Sequence, residues 1–259
     1  MARELGNEFD SDTADSEQSF ADAYGRDLVD LLDPHPEERV LDFGCGTGTL
    51  TAAIAERGAS VVGVDADGGL VERARETHPD LQFHHVDATD FSLAEPADAV
   101  LSNSVLHWFD DQDEIVEQIA DSLRPGGRFV AEMAITGNVG TILHAVRAEA
   151  RARGEVVENP WHFPTVGEHV VRLERHGFEV RLARLFDRPT ALEGSDGLRN
   201  WLTQFGDGLF AAIDDEGTRE EIISAVEQRL RPQSYVESAD EWVADYRRLR
   251  FVAVYKGTV

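Results

Sequence analysis

A glycine-rich turn that directly follows a short apolar strand is the feature that most constrains the fold of this 259-residue chain. Residues 40–43 form the strand, and Gly44, Gly46 and Gly48 follow it at every second position. Glycine has no Cβ atom, so a ligand can approach the backbone closely and positive φ is allowed. Residues 49–58 then have the composition of a helix with one apolar face. Together these elements predict a nucleotide-type site at the carboxyl edge of a parallel sheet, against a helix N-terminus.

The spacing of the glycines narrows the class of ligand. A dinucleotide-binding turn follows the pattern G-x-G-x-x-G, whereas the third glycine here comes one residue earlier. A phosphate-binding loop ends in Lys followed by Ser or Thr, and no such pair follows this turn. No Arg or Lys occurs between residues 40 and 56 to meet a pyrophosphate, and Asp42 immediately precedes the turn. The turn is therefore suited to a ligand that carries positive charge.

The segment from Asp42 to Gly48 resembles the first motif of class I S-adenosylmethionine-dependent methyltransferases. The cofactor of that family, S-adenosyl-L-methionine, carries a sulfonium and an amino group and no phosphate. The resemblance implies that the turn contacts this cofactor through Asp42, Gly44, Cys45, Gly46 and Gly48. It also implies that an aromatic segment before the first strand folds over the cofactor, and the candidates there are Phe20 and Tyr24. Both belong to a helix predicted over residues 16–32, and both are equally explained as core residues.

An acidic residue ends the second predicted strand, which covers residues 59–64. This residue, Asp65, is predicted to accept hydrogen bonds from two ribose hydroxyls, as in the dinucleotide fold, with Ala66 beside it at the cofactor. The alternative role, capping of the helix predicted over residues 69–77, suits Asp67 instead.

The third predicted strand, residues 81–86, also ends at an acidic residue. The family resemblance implies that the Asp87 side chain meets the adenine amino group and that the N–H of Ala88 meets a ring nitrogen. His84 and His85 are adjacent in this strand and therefore point to opposite faces. They do not make a metal pair, and no metal is expected in the site.

The fourth predicted strand, residues 97–102, leads into residues expected to flank the transferred methyl group, because ligands bind at this edge of an α/β sheet. Ser102 and Asn103 are expected to present backbone carbonyls to the methionine part of the cofactor. His107 is a candidate general base or substrate-orienting residue. The alternative is that His107 and Trp108 only pack beneath the cofactor.

Up to about residue 133 the predicted elements alternate between strand and helix, which indicates a parallel sheet with right-handed crossovers. The L-x-P-G-G turn at residues 123–127 is a further point of resemblance to the family. We predict an α/β fold with a Rossmann-like, seven-stranded, mostly parallel sheet, an antiparallel C-terminal hairpin and a helical cap. Residues 1–135 are expected to bind the cofactor. Residues 136–259 are expected to complete the sheet and to supply the substrate cap at about 190–235, within a single domain.

The second half of the chain shows a narrower resemblance to trans-aconitate methyltransferases and their uncharacterised relatives. The segments that carry it are residues 104–108, 126–132, 159–164 and 186–190. This resemblance implies a small-molecule methyl acceptor, for which a carboxylate is one option. A carboxylate requires no base, whereas a hydroxyl or an amine requires His107 or a tyrosine to take a proton.

The acceptor contacts are predicted from residue type. Arg188 and Arg247 are candidates to hold a polycarboxylate, although arginine also pairs structurally with the abundant acidic residues. A partly apolar pocket is predicted from the aromatic residues Trp108, Trp161, Phe163 and Trp201. The same aromatic residues are equally explained as the core of the cap.

The charge of the chain limits its partners. There are 50 acidic residues against 24 basic ones, which gives a formal net charge of −26. Such a surface is expected to repel nucleic acid and anionic membranes. Because the acidic residues are spread along the chain and Lys256 is the only lysine, the pattern favours a cytoplasmic protein adapted to high salt. The alternative is an ordinary acidic protein from a GC-rich genome. We expect a monomer or a homodimer.

Two other functional classes remain open from the sequence. One is a nicotinamide oxidoreductase, which the early third glycine and the lack of a second nucleotide-binding half disfavour. The other is a non-catalytic protein that binds the cofactor on the same fold, because the motifs concern binding and not turnover. Cys45, the only cysteine, is expected to be a small packing residue in the turn.

Overall fold

The computed structural model describes residues 25–89 and 91–257, with only the backbone described at residue 207. The aromatic candidates Phe20 and Tyr24 therefore lie outside the described residues. Within the described part of the chain, no helix is both long enough and apolar enough to cross a membrane.

One eight-stranded sheet forms among the described residues, in the order β3-β2-β1-β4-β5-β8-β6, with β7 paired to β8. The strands are β1 (Arg39–Phe43), β2 (Ser60–Asp65), β3 (Gln82–His85), β4 (Ala97–Asn103), β5 (Leu123–Ala134), β6 (Phe178–Glu193), β7 (Tyr235–Val236) and β8 (Glu241–Tyr255). Strands β1 to β5 pair in parallel, and β7 pairs with β8 in the antiparallel sense. The predicted mostly parallel α/β fold is confirmed. The two-residue β7 is an additional strand that the sequence pattern did not predict.

Helices lie between the strands, and α2 and α3 lie close to the helices predicted over residues 49–58 and 69–77. They are α1 (residues 25–32), α2 (Thr49–Ala55), α3 (Gly68–Thr77), the 3₁₀ turn η1 (Leu106–Trp108), α4 (Gln112–Asp121), α5 (Gly140–Ala152), α6 (Val166–Arg175), α7 (Gly197–Leu209) and α8 (Glu216–Ser234). The side chain of Asp67 accepts hydrogen bonds from the N–H groups of Gly69 and Leu70. Asp67 is therefore the cap of α3, as predicted.

The chain divides into two compact units. The first unit contains residues 25–133, 165–184 and 249–257 of the described chain, and the second contains residues 134–164 and 185–248. In the first unit, α1 and α2 share a fully buried apolar cluster with the centre of the sheet, which includes Leu28, Val40, Ile54, Leu101 and Val130. Burial of each such side chain contributes about 1.5–3 kcal/mol. This cluster fixes the strands whose carboxyl ends carry the predicted cofactor residues.

In the second unit, α5 packs against α8. Glu149 on α5 joins them, because its carboxylate accepts from Arg229 of α8 at 2.8 Å and from Arg153 at 3.1 Å. These hydrogen bonds lower the pKa of Glu149, with the bond from Arg229 as the largest cause.

Candidate active site

All three glycines of the turn adopt positive φ, which glycine allows without a steric penalty. The φ angles of Gly44, Gly46 and Gly48 are 76°, 54° and 85°. The N–H groups of Gly44 and Cys45 both donate to the carbonyl oxygen of Val64 on β2, at 2.8 and 3.0 Å. The turn is therefore fastened to the neighbouring strand at its first two residues.

Close packing accompanies this backbone conformation. A Cβ atom added at Gly44 would lie 2.1 Å from Val105 Cγ2, and one added at Gly48 would lie 2.6 Å from the ring of Phe83. Glycine is thus required at both positions for two reasons. A side chain would collide with its neighbours, and the backbone has a positive φ. The turn is seated against residues that follow β4 and against β3.

Asp65, at the end of β2, holds the turn through hydrogen bonds to backbone N–H groups. One carboxylate oxygen accepts from the N–H of Gly46 at 2.9 Å, and the other accepts from the N–H of Asp67 at 2.9 Å. A carboxylate offers about four acceptor positions in all, so these bonds leave capacity for further donors. Burial raises the pKa of Asp65, and the N–H bonds oppose that rise. The structural role of Asp65 in fixing the turn was not predicted from the sequence.

Asp42 lies beneath the turn rather than at its surface. It is 1% exposed, and its Oδ2 accepts from the hydroxyl of Thr51 at 2.6 Å. Burial raises the pKa of Asp42 from 3.8 to about 7, and the charge of Asp65 adds to the rise while the Thr51 hydrogen bond opposes it. Burial likewise raises the pKa of the Cys45 thiol, which disfavours the reactive thiolate form.

The raised pKa of Asp42 predicts a pH-dependent stability. Because the folded-state pKa lies above the unfolded value, stability is fully present below about pH 4 and is lost as the pH rises through about 7. Asp42→Asn keeps an acceptor for Thr51 but cannot ionise. We expect its free energy of unfolding to exceed that of the wild type by an amount that grows between pH 4 and 7, towards about 4 kcal/mol. Denaturant unfolding at several pH values measures this difference, and a constant difference across that range would refute the assignment.

Asp87 and Ala88 follow β3 at the same edge of the sheet. Asp87 is exposed, and its Oδ1 accepts from the N–H of Thr89 at 2.9 Å and from the Thr89 hydroxyl at 2.8 Å. These bonds lower the pKa of Asp87, so the carboxylate is held as an anion in a local turn. His85 contacts the carbonyl of Ala66 at 3.1 Å, which joins the ends of β3 and β2.

Ser102 and Asn103 end β4 in the centre of the sheet. The Ser102 side chain is fully buried, and its Oγ has no hydrogen-bond partner among the described residues. Ser104 follows at a φ of 62°, and its N–H donates to the carbonyl of Glu132 at 2.8 Å. The side chain of Glu132, 2% exposed, is 2.7 Å from Arg250 of β8. A buried ion pair on the neighbouring strands therefore accompanies the backbone bend after β4.

His107 and Trp108 lie on the 3₁₀ turn η1. His107 is 6% exposed, and its ring centroid is 5.8 Å from that of Trp108. The structure thus brings both residues to the chain segment that packs on the glycine turn through Val105. Their contact is compatible with either predicted role, orientation of an acceptor or packing.

Three of the predicted acceptor residues belong to the second unit and form a row of rings. Trp161 stacks on Phe163 with centroids 5.8 Å apart and an angle of 12°, and its centroid lies 6.0 Å from that of Trp201. Trp201 donates its ring N–H to the hydroxyl of Tyr246 at 2.7 Å. The row therefore ends on a tyrosine of β8.

Arg248 is an arginine that the sequence reasoning missed. It is 9% exposed, and its guanidinium carbon lies 4.7 Å from the centroid of the Tyr246 ring. Of the two arginines predicted to hold an acceptor, Arg247 pairs with Asp187 at 3.2 Å and Arg188 lies over Phe186 at 5.0 Å. The alternation of β8 from Trp242 places residue 248 on the buried face, so this pattern was a signal that could have found it.

The described residues contain no group of three or more His, Cys, Asp or Glu side chains that could hold a metal ion.

Residues 41–131 match the family model of a methyltransferase domain. The chain is 30% identical over 248 residues to an uncharacterised methyltransferase of Schizosaccharomyces pombe, and the alignment covers 91% of this chain and 93% of that relative. It is 35% identical over 147 residues to a trans-aconitate 2-methyltransferase of Rhizobium leguminosarum bv. trifolii, where the alignment covers 55% of each chain.

Solved structures show the same fold. A candidate methyltransferase of Bacillus halodurans superposes with a TM-score of 0.63 at 15% identity, over 91% of this chain and 100% of the other. An S-adenosylmethionine-dependent methyltransferase of Mesorhizobium loti superposes with a TM-score of 0.53 at 21% identity, over 88% of this chain and 96% of the other. At these identities the likeness concerns the fold.

Proposed function

Because this chain belongs to the class I S-adenosylmethionine-dependent methyltransferases, we propose that it methylates a carboxylate group of a small molecule. The observation that supports a carboxylate acceptor is the position of Arg248, a buried arginine that packs on Tyr246 at the end of the aromatic row. A guanidinium binds a carboxylate through two parallel hydrogen bonds. Some relatives at modest identity are trans-aconitate 2-methyltransferases, which supports the same class.

The residues of the turn fit S-adenosyl-L-methionine. At Gly44 and Gly48 a Cβ atom would collide with the side chains of Val105 and Phe83, so both positions require glycine. Asp65 retains acceptor capacity for the ribose hydroxyls. We assign Asp87 and Ala88 to the adenine, and the carbonyls of Ser102 and Asn103 to the methionine part.

The chemistry follows from these assignments. The bound cofactor supplies a methyl group that is already activated by the positive charge on sulfur. The task of the protein is then to position the acceptor and to exclude water. A carboxylate acceptor is an anion near neutral pH, so His107 acts in orientation and not as a base. The net charge of −26 opposes binding of nucleic acid and of anionic membranes.

A methyl-transfer assay tests this function. The protein is incubated at high salt with methyl-labelled cofactor and trans-aconitate, and the labelled methyl ester is measured. We expect ester formation that depends on both substrates. Saturable cofactor binding without transfer to any of a panel of small carboxylates would instead favour the non-catalytic alternative.

Arg248→Met tests the acceptor contact, because Met keeps much of the length of the side chain without the charge. We expect the KM for trans-aconitate to rise about 30-fold, as loss of a hydrogen bond between charged groups implies. The matched control is Arg229→Met, which removes a half-exposed arginine paired with Glu149 and is expected to change KM by less than about threefold. Equal effects of the two substitutions would contradict the role of Arg248.

A further inference from the structure

The turn η1 is short, and the N–H of Trp108 donates to the carbonyl of Val105 at 3.0 Å within it. It contains three residues, Leu106–Trp108, and short 3₁₀ segments have poor hydrogen-bond geometry. The carbonyl of Leu106 accepts from the N–H of Phe109 at 3.4 Å, which is a long hydrogen bond. The same carbonyl accepts from the side-chain amide of Gln112 at 2.9 Å. A side chain from the start of α4 therefore makes the shorter bond to this turn.

The orientation of the Gln112 amide is dictated by its two partners. Gln112 is 2% exposed, and its Oε1 accepts from Arg172 of α6 at 3.0 Å. Arginine only donates and a carbonyl only accepts, so the oxygen faces Arg172 and the NH₂ group faces Leu106. A reversed amide would place two donors together at one end and two acceptors at the other.

Arg172 is itself held in place. Its Nε lies 3.1 Å from Asp113 Oδ2, and the other oxygen of Asp113 lies 3.0 Å from the ring nitrogen of His176. The hydrogen bond with His176 is the largest cause that lowers the pKa of Asp113. The chain of contacts thus runs from α6 through Asp113, Arg172 and Gln112 to the carbonyl of Leu106.

We propose that Gln112 and Arg172 are positioning residues that set the orientation of His107 and Trp108 through the Leu106 carbonyl. The chain of contacts ends on the residue directly before His107, and all of its members belong to the first unit. The proposal rests on the proposed function, because it is the acceptor that His107 and Trp108 are assigned to orient. It predicts an effect on the acceptor without a matching effect on the cofactor.

Gln112→Glu removes one of the two hydrogen bonds of the amide and keeps the other. The new carboxylate keeps the shape of the side chain and its bond to Arg172, but it places an oxygen against the Leu106 carbonyl in place of a donor. Arg172→Met has the opposite effect. It leaves the hydrogen bond from Gln112 to the Leu106 carbonyl and removes the hydrogen bond from Arg172 that orients the Gln112 amide. Glu117→Gln, on the exposed face of the same helix, is the matched control for a Gln/Glu exchange.

The measurement is ¹⁹F NMR of the protein labelled with 5-fluorotryptophan. The chain has four tryptophans, so four resonances are expected. The Trp108 resonance is assigned with Trp108→Phe. We expect Gln112→Glu to shift or split the Trp108 resonance while the other three stay in place, and Arg172→Met to broaden it. Glu117→Gln is expected to leave all four unchanged. The unchanged resonances also report that each variant is folded.

Titration with S-adenosylhomocysteine and turnover of trans-aconitate complete the test. We expect Gln112→Glu to leave the Kd of S-adenosylhomocysteine unchanged and to lower kcat/KM for the acceptor about 30-fold, as a small misplacement of an orienting group does. An unmoved Trp108 resonance, or a parallel loss of cofactor affinity, would overturn the proposal. Failure of the wild type to bind S-adenosylhomocysteine would overturn the proposed function instead, and the Trp108 resonance would still decide whether Gln112 positions the turn.

Discussion

Gly44→Ala is expected to lower the free energy of unfolding by about 3 kcal/mol or more and to abolish measurable cofactor binding. The φ of 76° at this position costs an L-residue about 1–2 kcal/mol. The new methyl group would also lie 2.1 Å from Val105 Cγ2, 2.8 Å from its Cγ1 and 3.0 Å from its Cβ. Rotation of the valine side chain cannot relieve contacts to both methyl groups and to Cβ, so the turn or the segment after β4 has to move. Denaturant unfolding and calorimetric titration with S-adenosylhomocysteine measure the two effects.

Gly58→Ala is the matched control for this substitution. Gly58 follows α2 with a φ of 92°, and a Cβ atom there would lie 3.3 Å from Pro36 Cγ as its nearest contact. It therefore carries the cost of positive φ with little collision, and we expect a loss of only about 1–2 kcal/mol with cofactor binding intact. If the two substitutions were equally costly, close packing of the turn against Val105 would not be what requires glycine at position 44.

The second large effect is expected from Asp65→Asn, which should weaken binding of S-adenosylmethionine about 100-fold. Asparagine has one carbonyl oxygen and one NH₂ group, so one of the two N–H donors, from Gly46 or Asp67, would face another donor. The bonds that a carboxylate makes are worth about 1.5–3 kcal/mol each, and the assigned ribose contacts weaken together with the bond that fixes the turn. Calorimetric titration at high salt measures the affinity.

Asp67→Asn provides the comparison, because it changes the next acidic residue along the chain. Asp67 caps α3 through the N–H groups of Gly69 and Leu70, and asparagine is about as good a cap as aspartate. We expect stability and cofactor affinity close to those of the wild type. A loss of affinity equal to that of Asp65→Asn would mean that the general negative charge of this region, and not the geometry of Asp65, governs binding.

Local signals in the sequence were sufficient for the parallel half of the fold and for the outline of the cofactor site. The apolar runs that form β1, β2 and β4 have turn residues at their ends, and the cap at Asp67 depends on its immediate neighbours. The three glycines of the turn permit the positive φ angles that they adopt. In each case the physical cause lies within a few residues of the effect, so a single sequence contains it. The roles assigned to Asp65, Asp87, Ala88, Ser102 and Asn103 at the cofactor stay predictions.

The other features of the fold and of the candidate site depend mostly on residues that are distant in the sequence. β6 continues to Glu193 because it pairs with β8, which begins only at Glu241. Gln112 has an ordinary pattern at the start of a helix, and only the fold brings it to Arg172. The alternation of β8 indicates burial of residue 248, but an arginine on a strand is usually assigned to the solvent face. No local pattern predicted the positive φ of Ser104, which accompanies its bond to the Glu132 carbonyl.

The order of the sheet has a consequence for how the protein is made on the ribosome. β8 inserts between β5 and β6, although both of these strands are synthesised before it. During translation β6 therefore emerges without β8, its one neighbour among the described strands, and β5 emerges with one edge exposed. The nascent chain can complete the β3-β2-β1-β4-β5 half early, but β6 waits until residues 241–255 have left the ribosome. In this interval the exposed edge of β5 and both edges of β6 are open to wrong pairing.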